Sequence, residues 1–174
     1  YTGYCLHVPV LMYHHIMPYS IAQQKGQTAL NVDNEMFDQH MGYLAANGYT
    51  SVFAEDLIAS LQNHTSLPLK SIVVTIDDGY EDNYTYAFPA IKKYNIKTSL
   101  MIPTGLLGVN SGTNNYMSWN ELKEMTGNGL VRAYNHTFSH FAMGSQNESK
   151  DEFEITTAQG QLRDQLGIHN TVFV

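Results

Sequence analysis

The chain has 174 residues, of which 43% are hydrophobic and 14% charged, with a net charge of −7 when histidine is neutral. That length gives one domain with a real core, and the composition excludes wholesale disorder. The acidic balance argues against a nucleic-acid partner, which needs a basic face, and there is no apolar run long enough to span a bilayer.

In chain order, Val8–Tyr13 reads as a short strand with Pro9 near its start. Residues 16–32 read as loop. Asp33 is placed to cap a helix that runs to about Asn47, with Phe37, Met41 and Leu44 as its apolar stripe and Gly48 as its stop. A second helix covers Ala54–Gln62 and points Leu57, Ile58 and Leu61 inward. Ser71–Ile76 is almost continuously β-branched, the pattern of a strand buried on both faces of a parallel sheet. Asp82–Tyr94 is helical in pattern and splits at Pro89, which suits the first turn of a second helix. Lys97–Ile102 is a strand, and residues 103–117 form a Gly/Asn/Ser-rich loop. Ser118 and Glu121 make a capping box that opens a helix to about Thr126. Val131–Tyr134 is a strand. Asp151–Leu166 is a long helix carrying Phe153, Ile155, Leu162 and Leu166, and Thr171–Val174 begins one more strand. This alternation predicts an α/β fold with a parallel sheet and helical crossovers, whose active sites gather at the carboxyl ends of the strands.

Two motifs stand at such ends. Thr75-Ile76-Asp77-Asp78-Gly79 closes one strand and His136-Thr137-Phe138-Ser139-His140 follows another. Neighbouring carboxylates at a strand end diverge, so one can bind a metal while the other faces substrate. An Asp-Asp-Gly triplet also describes an ordinary turn, and two histidines beside Thr137 and Ser139 also describe a locally capped loop. Taken together, two imidazoles and a carboxylate with an open position make a familiar catalytic zinc arrangement that also suits iron, cobalt or nickel. His14 and His15 follow the first strand. One of them lines the mouth toward substrate, or both are satisfied internally. Tyr116 and Trp119 are the candidates for a sugar platform, whereas Tyr80, Tyr84 and Tyr86 read as packing residues. His7, His40, His64 and His169 read as surface or structural.

Cys5 is the only cysteine, so no disulfide forms within the chain. Asn-x-Ser/Thr triplets at Asn63, Asn83, Asn135 and Asn147 read as accidental.

The two motifs resemble the first two motifs of the polysaccharide deacetylases of carbohydrate esterase family 4. The opening Val-Pro-Val-Leu-Met-Tyr-His-His-Ile, together with Ala87–Leu107 and Met117–Val131, is similar to the branch of bacterial poly-N-acetylglucosamine deacetylases. Ile76 stands where Phe is usual, and Asn135 where Ser is common. The resemblance implies an incomplete, distorted (β/α) barrel that lacks its C-terminal strands in this chain. Residues 1–174 would be one deacetylase-like catalytic domain. It further implies Asp77 as general base, Asp78, His136 and His140 as ligands of one divalent ion, an N-acetylated polysaccharide as substrate, and a cell-surface or extracellular place. Later motifs, including a Leu-x-x-His general acid, are expected beyond Val174. Two other readings stand beside it. One is a carbohydrate-binding or scaffold module that keeps the site without turnover. The other is a glycosidase using Asp77 and Asp78, which would need carboxyls about 5–9.5 Å apart across a scissile bond and leaves the histidines without a task.

Overall fold

The structure, a computed structural model, describes residues 3–144, 148–169 and 172–174. Its centre is β5 (Ser71–Asp77), in which all seven residues are buried. Ile72, Val73, Val74, Thr75 and Ile76 are β-branched and suit a strand covered on both faces. β1 (Val10–Tyr13) pairs with β5 in parallel from Val10↔Val73 to Tyr13↔Ile76. β4 (Thr50–Val52) pairs with the first half of β5, and β6 (Thr98–Ile102) with the second half, from Thr75↔Ser99 to Asp77↔Met101. β7 (Val131–Asn135) pairs in parallel along all of β6. The order β1-β5-β6-β7 therefore follows the chain, as in a barrel wound one strand at a time. Among the described residues β7 does not pair with β1, so the fold is an open, incomplete (β/α) barrel. Two seryl hydroxyls stitch the splayed region: Lys97 N donates to Ser51 Oγ at 2.7 Å and Ala54 N to Ser99 Oγ at 3.0 Å.

Helices cover the outside for readable reasons. In α2 (Asn34–Ala46) the Asp33 carboxylate accepts from Glu35 N at 3.0 Å, and Phe37, Met41 and Leu44 are buried. A π-helical turn at Asn83–Ala87 runs into α4 (Phe88–Tyr94), with Pro89 in its first turn. In α5 (Trp119–Gly127) the Ser118–Glu121 capping box is complete. α6 (Glu148–Leu166) closes the side beside β7.

Three expectations are corrected, and one short strand is added. Residues 16–32 are not all loop: β2 (His15–Ile16) pairs with β3 (Asn31–Val32), and α1 (Tyr19–Lys25) lies between them. α1 carries no periodic sequence signal, because Ala22 is its one buried residue and no apolar stripe exists. β4 is only three residues long and carries little pattern. In α3 (Ala54–Asn63) Ile58 and Leu61 are exposed, and the buried residue is Ser60. In α6 Phe153 is exposed, and the inward face is Glu154, Ala158 and Leu162, a strict spacing of four.

The Asn83 and Asn135 side chains are buried and spend their amide donors internally, on His14 O at 2.8 Å and Ile155 O at 2.9 Å. Neither can carry a glycan in this fold. The Asn147 triplet and Thr171 lie outside the described residues. Of the expected last strand, Phe173 forms a single parallel bridge to Asn135.

Candidate metal centre

Three elements meet at the carboxyl end of the sheet. β5 ends on Asp77, and the chain turns at once through Asp78 and Gly79, both in the left-handed region at φ +73° and +66°. β7 ends on Asn135, and the His loop follows with Thr137 at φ +68° and His140 at φ +56°. Non-glycine residues held there cost about 1–3 kcal/mol each and cluster at functional sites. The 3₁₀ turn Thr104–Leu106 after β6 braces the His loop: Thr104 N donates to Thr137 O at 3.2 Å and Gly105 N to Phe138 O at 2.7 Å.

The turns bring Asp78, His136 and His140 together. Their ligand atoms lie within 4.8 Å of one another. Nε2 of His136 and of His140 stand 3.4 and 3.0 Å from Asp78 Oδ1. That oxygen is buried and has no aligned hydrogen-bond donor. The other ring nitrogen of His136, Nδ1, lies 2.7 Å from Val174 O. A carbonyl only accepts, so Nδ1 carries the proton, and in the neutral ring Nε2 presents a lone pair to Asp78. Acceptors facing one another around an orphaned carboxylate oxygen fit a single cation, and the donor set is two imidazoles and one carboxylate. The electrostatics show a carboxylate that draws positive charge, whether a proton on an imidazole or a cation. Burial alone would raise the Asp78 pKa, but His136 and His140 hold it far below the usual carboxylate range. Burial alone would lower the His136 pKa, but Asp78 and the Val174 carbonyl more than offset it and the net shift is upward. Among the described residues no other group of three His, Cys, Asp or Glu side chains converges in this way.

Asp77 sits beside this cluster and differs from it. Its Oδ2 is 3.9 Å from His14 Nε2, and its buried Oδ1 has no hydrogen-bond partner. Burial pushes its pKa up, partly offset by His136 and His14. A buried carboxylate with a raised pKa and a free oxygen is suited to taking a proton.

The two neighbouring histidines of the first strand have separate tasks. His14 stands next to Asp77 and is partly exposed. His15 is buried: its Nδ1 donates to Asp82 Oδ2 at 2.7 Å, while Ile16 N donates to Asp82 Oδ1 at 2.8 Å. The His15 ring stacks on Tyr80 at 3.6 Å, and burial together with the Asp78 carboxylate beside it raises the Tyr80 pKa. Tyr80 thus packs, as expected, and also stands beside a candidate ligand, which its position in a Tyr-rich stretch did not reveal. Tyr116 reaches this region through Tyr80, with ring centroids 5.2 Å apart and a backbone bridge between the two residues. Trp119 packs against the main core at the start of α5.

Gly105 is a site residue that no local sequence signal singles out. A Cβ there would stand 2.7 Å from the Phe138 carbonyl oxygen and from a Phe138 ring carbon. Gly105→Ala is therefore expected to push the His loop away, with a stability loss of about 1–3 kcal/mol. Denaturant melts together with zinc titration check this, and a variant that matches the parent in both would contradict it.

An open parallel barrel with an Asp-His-His cluster and a second, separate carboxylate at its strand ends defines a class: (β/α)-barrel proteins with a candidate cation site at the carboxyl end of the sheet. The chain belongs to the polysaccharide deacetylase family, whose model matches residues 64–174. It is 27% identical over 167 residues to Bacillus subtilis YxkH, provisionally named a polysaccharide deacetylase, in a match covering 96% of this chain and 55% of that protein. It is 36% identical over 84 residues to a poly-β-1,6-N-acetyl-D-glucosamine N-deacetylase of Staphylococcus aureus, a match covering 48% of this chain and 29% of that protein. The chain thus spans about half or less of the curated relatives it matches. Among solved structures, the Streptococcus pyogenes deacetylase PplD in complex with acetate superposes with a TM-score of 0.85 at 26% identity, covering 97% of this chain and 73% of that one. IcaB from Ammonifex degensii superposes with a TM-score of 0.80 at 25% identity, covering 95% and 72%. The incomplete (β/α) barrel and the polysaccharide deacetylase family, both expected from the resemblance, are borne out.

Proposed function

We propose that this chain is the site-bearing part of a metal-dependent enzyme that removes N-acetyl groups from a polysaccharide of the poly-N-acetylglucosamine type, at the cell surface or outside the cell. The observation that carries the reading is the convergence of Asp78 Oδ1 with the two Nε2 atoms, on a buried oxygen without a donor. The identity with the staphylococcal N-deacetylase supports the substrate class.

In this reading Asp78, His136 and His140 hold one divalent ion, with zinc the first choice for this donor set. Such an ion, when bound, supplies Lewis acidity toward an amide carbonyl and makes water nucleophilic near neutral pH. Asp77 removes the proton from the attacking water, and its unpartnered Oδ1 is the atom free to take it. His14 lines the mouth next to Asp77 and holds Asp77 Oδ2 or the substrate's polar groups. Tyr116, partly exposed next to Tyr80, offers a ring face to a sugar.

Acetate release from β-1,6-linked N-acetylglucosamine oligomers by the full protein, with and without a chelator, tests the proposal. Acetate that appears with added zinc and stops with chelator is the expected result. Shortened oligomers without acetate would overturn it in favour of glycoside cleavage.

A further inference from the structure

His140 poses a positioning problem. Its side chain is 52% exposed, against 16% for His136, which is also tied through Nδ1 to Val174 O. Packing therefore does not hold the His140 ring near Asp78, and its own backbone is in the left-handed region at φ +56°. Whatever holds His140 must act on the loop just before it.

Glu154 is placed to do this. It lies on α6, is 4% exposed, and occupies a face otherwise made of Ala158 and Leu162. A buried carboxylate needs paired donors. Its carboxylate accepts hydrogen bonds from the two residues preceding His140. Phe138 N and Ser139 N donate to Oε2 at 3.0 and 2.7 Å, and Ser139 Oγ donates to Oε1 at 2.7 Å. Two successive backbone N–H groups gripped by one carboxylate oxygen fix the orientation of the peptide that leads into His140.

We propose that Glu154 is a positioning residue of the cation site: through Phe138 and Ser139 it holds the His140 imidazole within reach of the ion shared with Asp78 and His136. The proposal rests on the metal reading above. A merely structural clamp would affect folding alone, so the readout that separates the two is zinc affinity of the folded protein. Glu154→Ala is expected to weaken zinc binding about 10–100-fold, the usual cost of losing a partner outside the ligand set. Glu154→Gln is expected to restore most of it. Its amide oxygen still accepts both N–H groups, and its amide nitrogen donates to Ser139 Oγ.

The experiment is zinc titration against a competing chelator, with folding monitored by circular dichroism. A folded Glu154→Ala protein that binds zinc as tightly as the parent would overturn the proposal while leaving the metal site intact. A parent protein that binds no zinc would remove the metal reading, and this proposal with it. If Glu154→Ala does not fold, Glu154→Asp carries the same test: the charge stays but is withdrawn by one methylene. Weakened binding supports the role, and parent-like binding overturns it.

Discussion

Asp77→Asn in the full protein is expected to lower the rate of acetate release by about 10²–10⁴-fold, the contribution of a positioned general base. Metal content should not change. The substitution is nearly isosteric and removes only the ability to accept a proton. Asp77 is not one of the three groups whose ligand atoms converge, and its Oδ2 lies 3.9 Å from His14 Nε2. Loss of rate with zinc retained is therefore the signature of a base, whereas loss of both would place Asp77 among the ligands. The base acts only when ionised, and burial raises its pKa above the ordinary carboxylate value. Activity should accordingly fall as pH drops through that raised value. A variant as active as the parent would contradict the role.

His140→Ala is expected to have the opposite profile: metal is lost and the fold is kept. His140 is half exposed, so its truncation opens no core cavity. It does remove one of three convergent ligands, which should weaken zinc binding by more than the 10–100-fold typical of outer partners. Equilibrium dialysis with metal analysis reads the affinity, and circular dichroism reads the fold. Unchanged zinc stoichiometry in a folded His140→Ala protein would count against the triad.

What was legible in the sequence was whatever is encoded locally. The β-branched run that became β5, the Asp33 cap, the Ser118–Glu121 box and the stop at Gly48 all act within a few residues of themselves, and all appear in the fold. The two motifs were legible because strand ends in a parallel barrel share one mouth, so Asp78 and His136 had a reason to meet. What was hidden depends on partners distant in sequence. Glu154 looks like a solvated helix residue until Ser139, fifteen residues earlier, is seen to donate to it. Gly105 looks like an ordinary loop glycine until the Phe138 carbonyl is found against it. Ile58, Leu61 and Phe153 look like core residues and are exposed, because apolar spacing alone does not say which flank of a helix the barrel covers. His14 and His15 could not be told apart by sequence. The distinction comes from Asp82, which takes up His15 and leaves His14 beside Asp77.

The central claim is that three side chains from two strand ends grip a single ion. Anomalous diffraction at the zinc edge from crystals of the zinc-loaded protein tests it most directly. One peak is expected, bonded to Nε2 of His136, Nε2 of His140 and one Asp78 oxygen, with Zn–N distances of about 2.0–2.1 Å. A stoichiometric ion bound elsewhere, or an ordered pocket in which these three groups share none, would contradict the account.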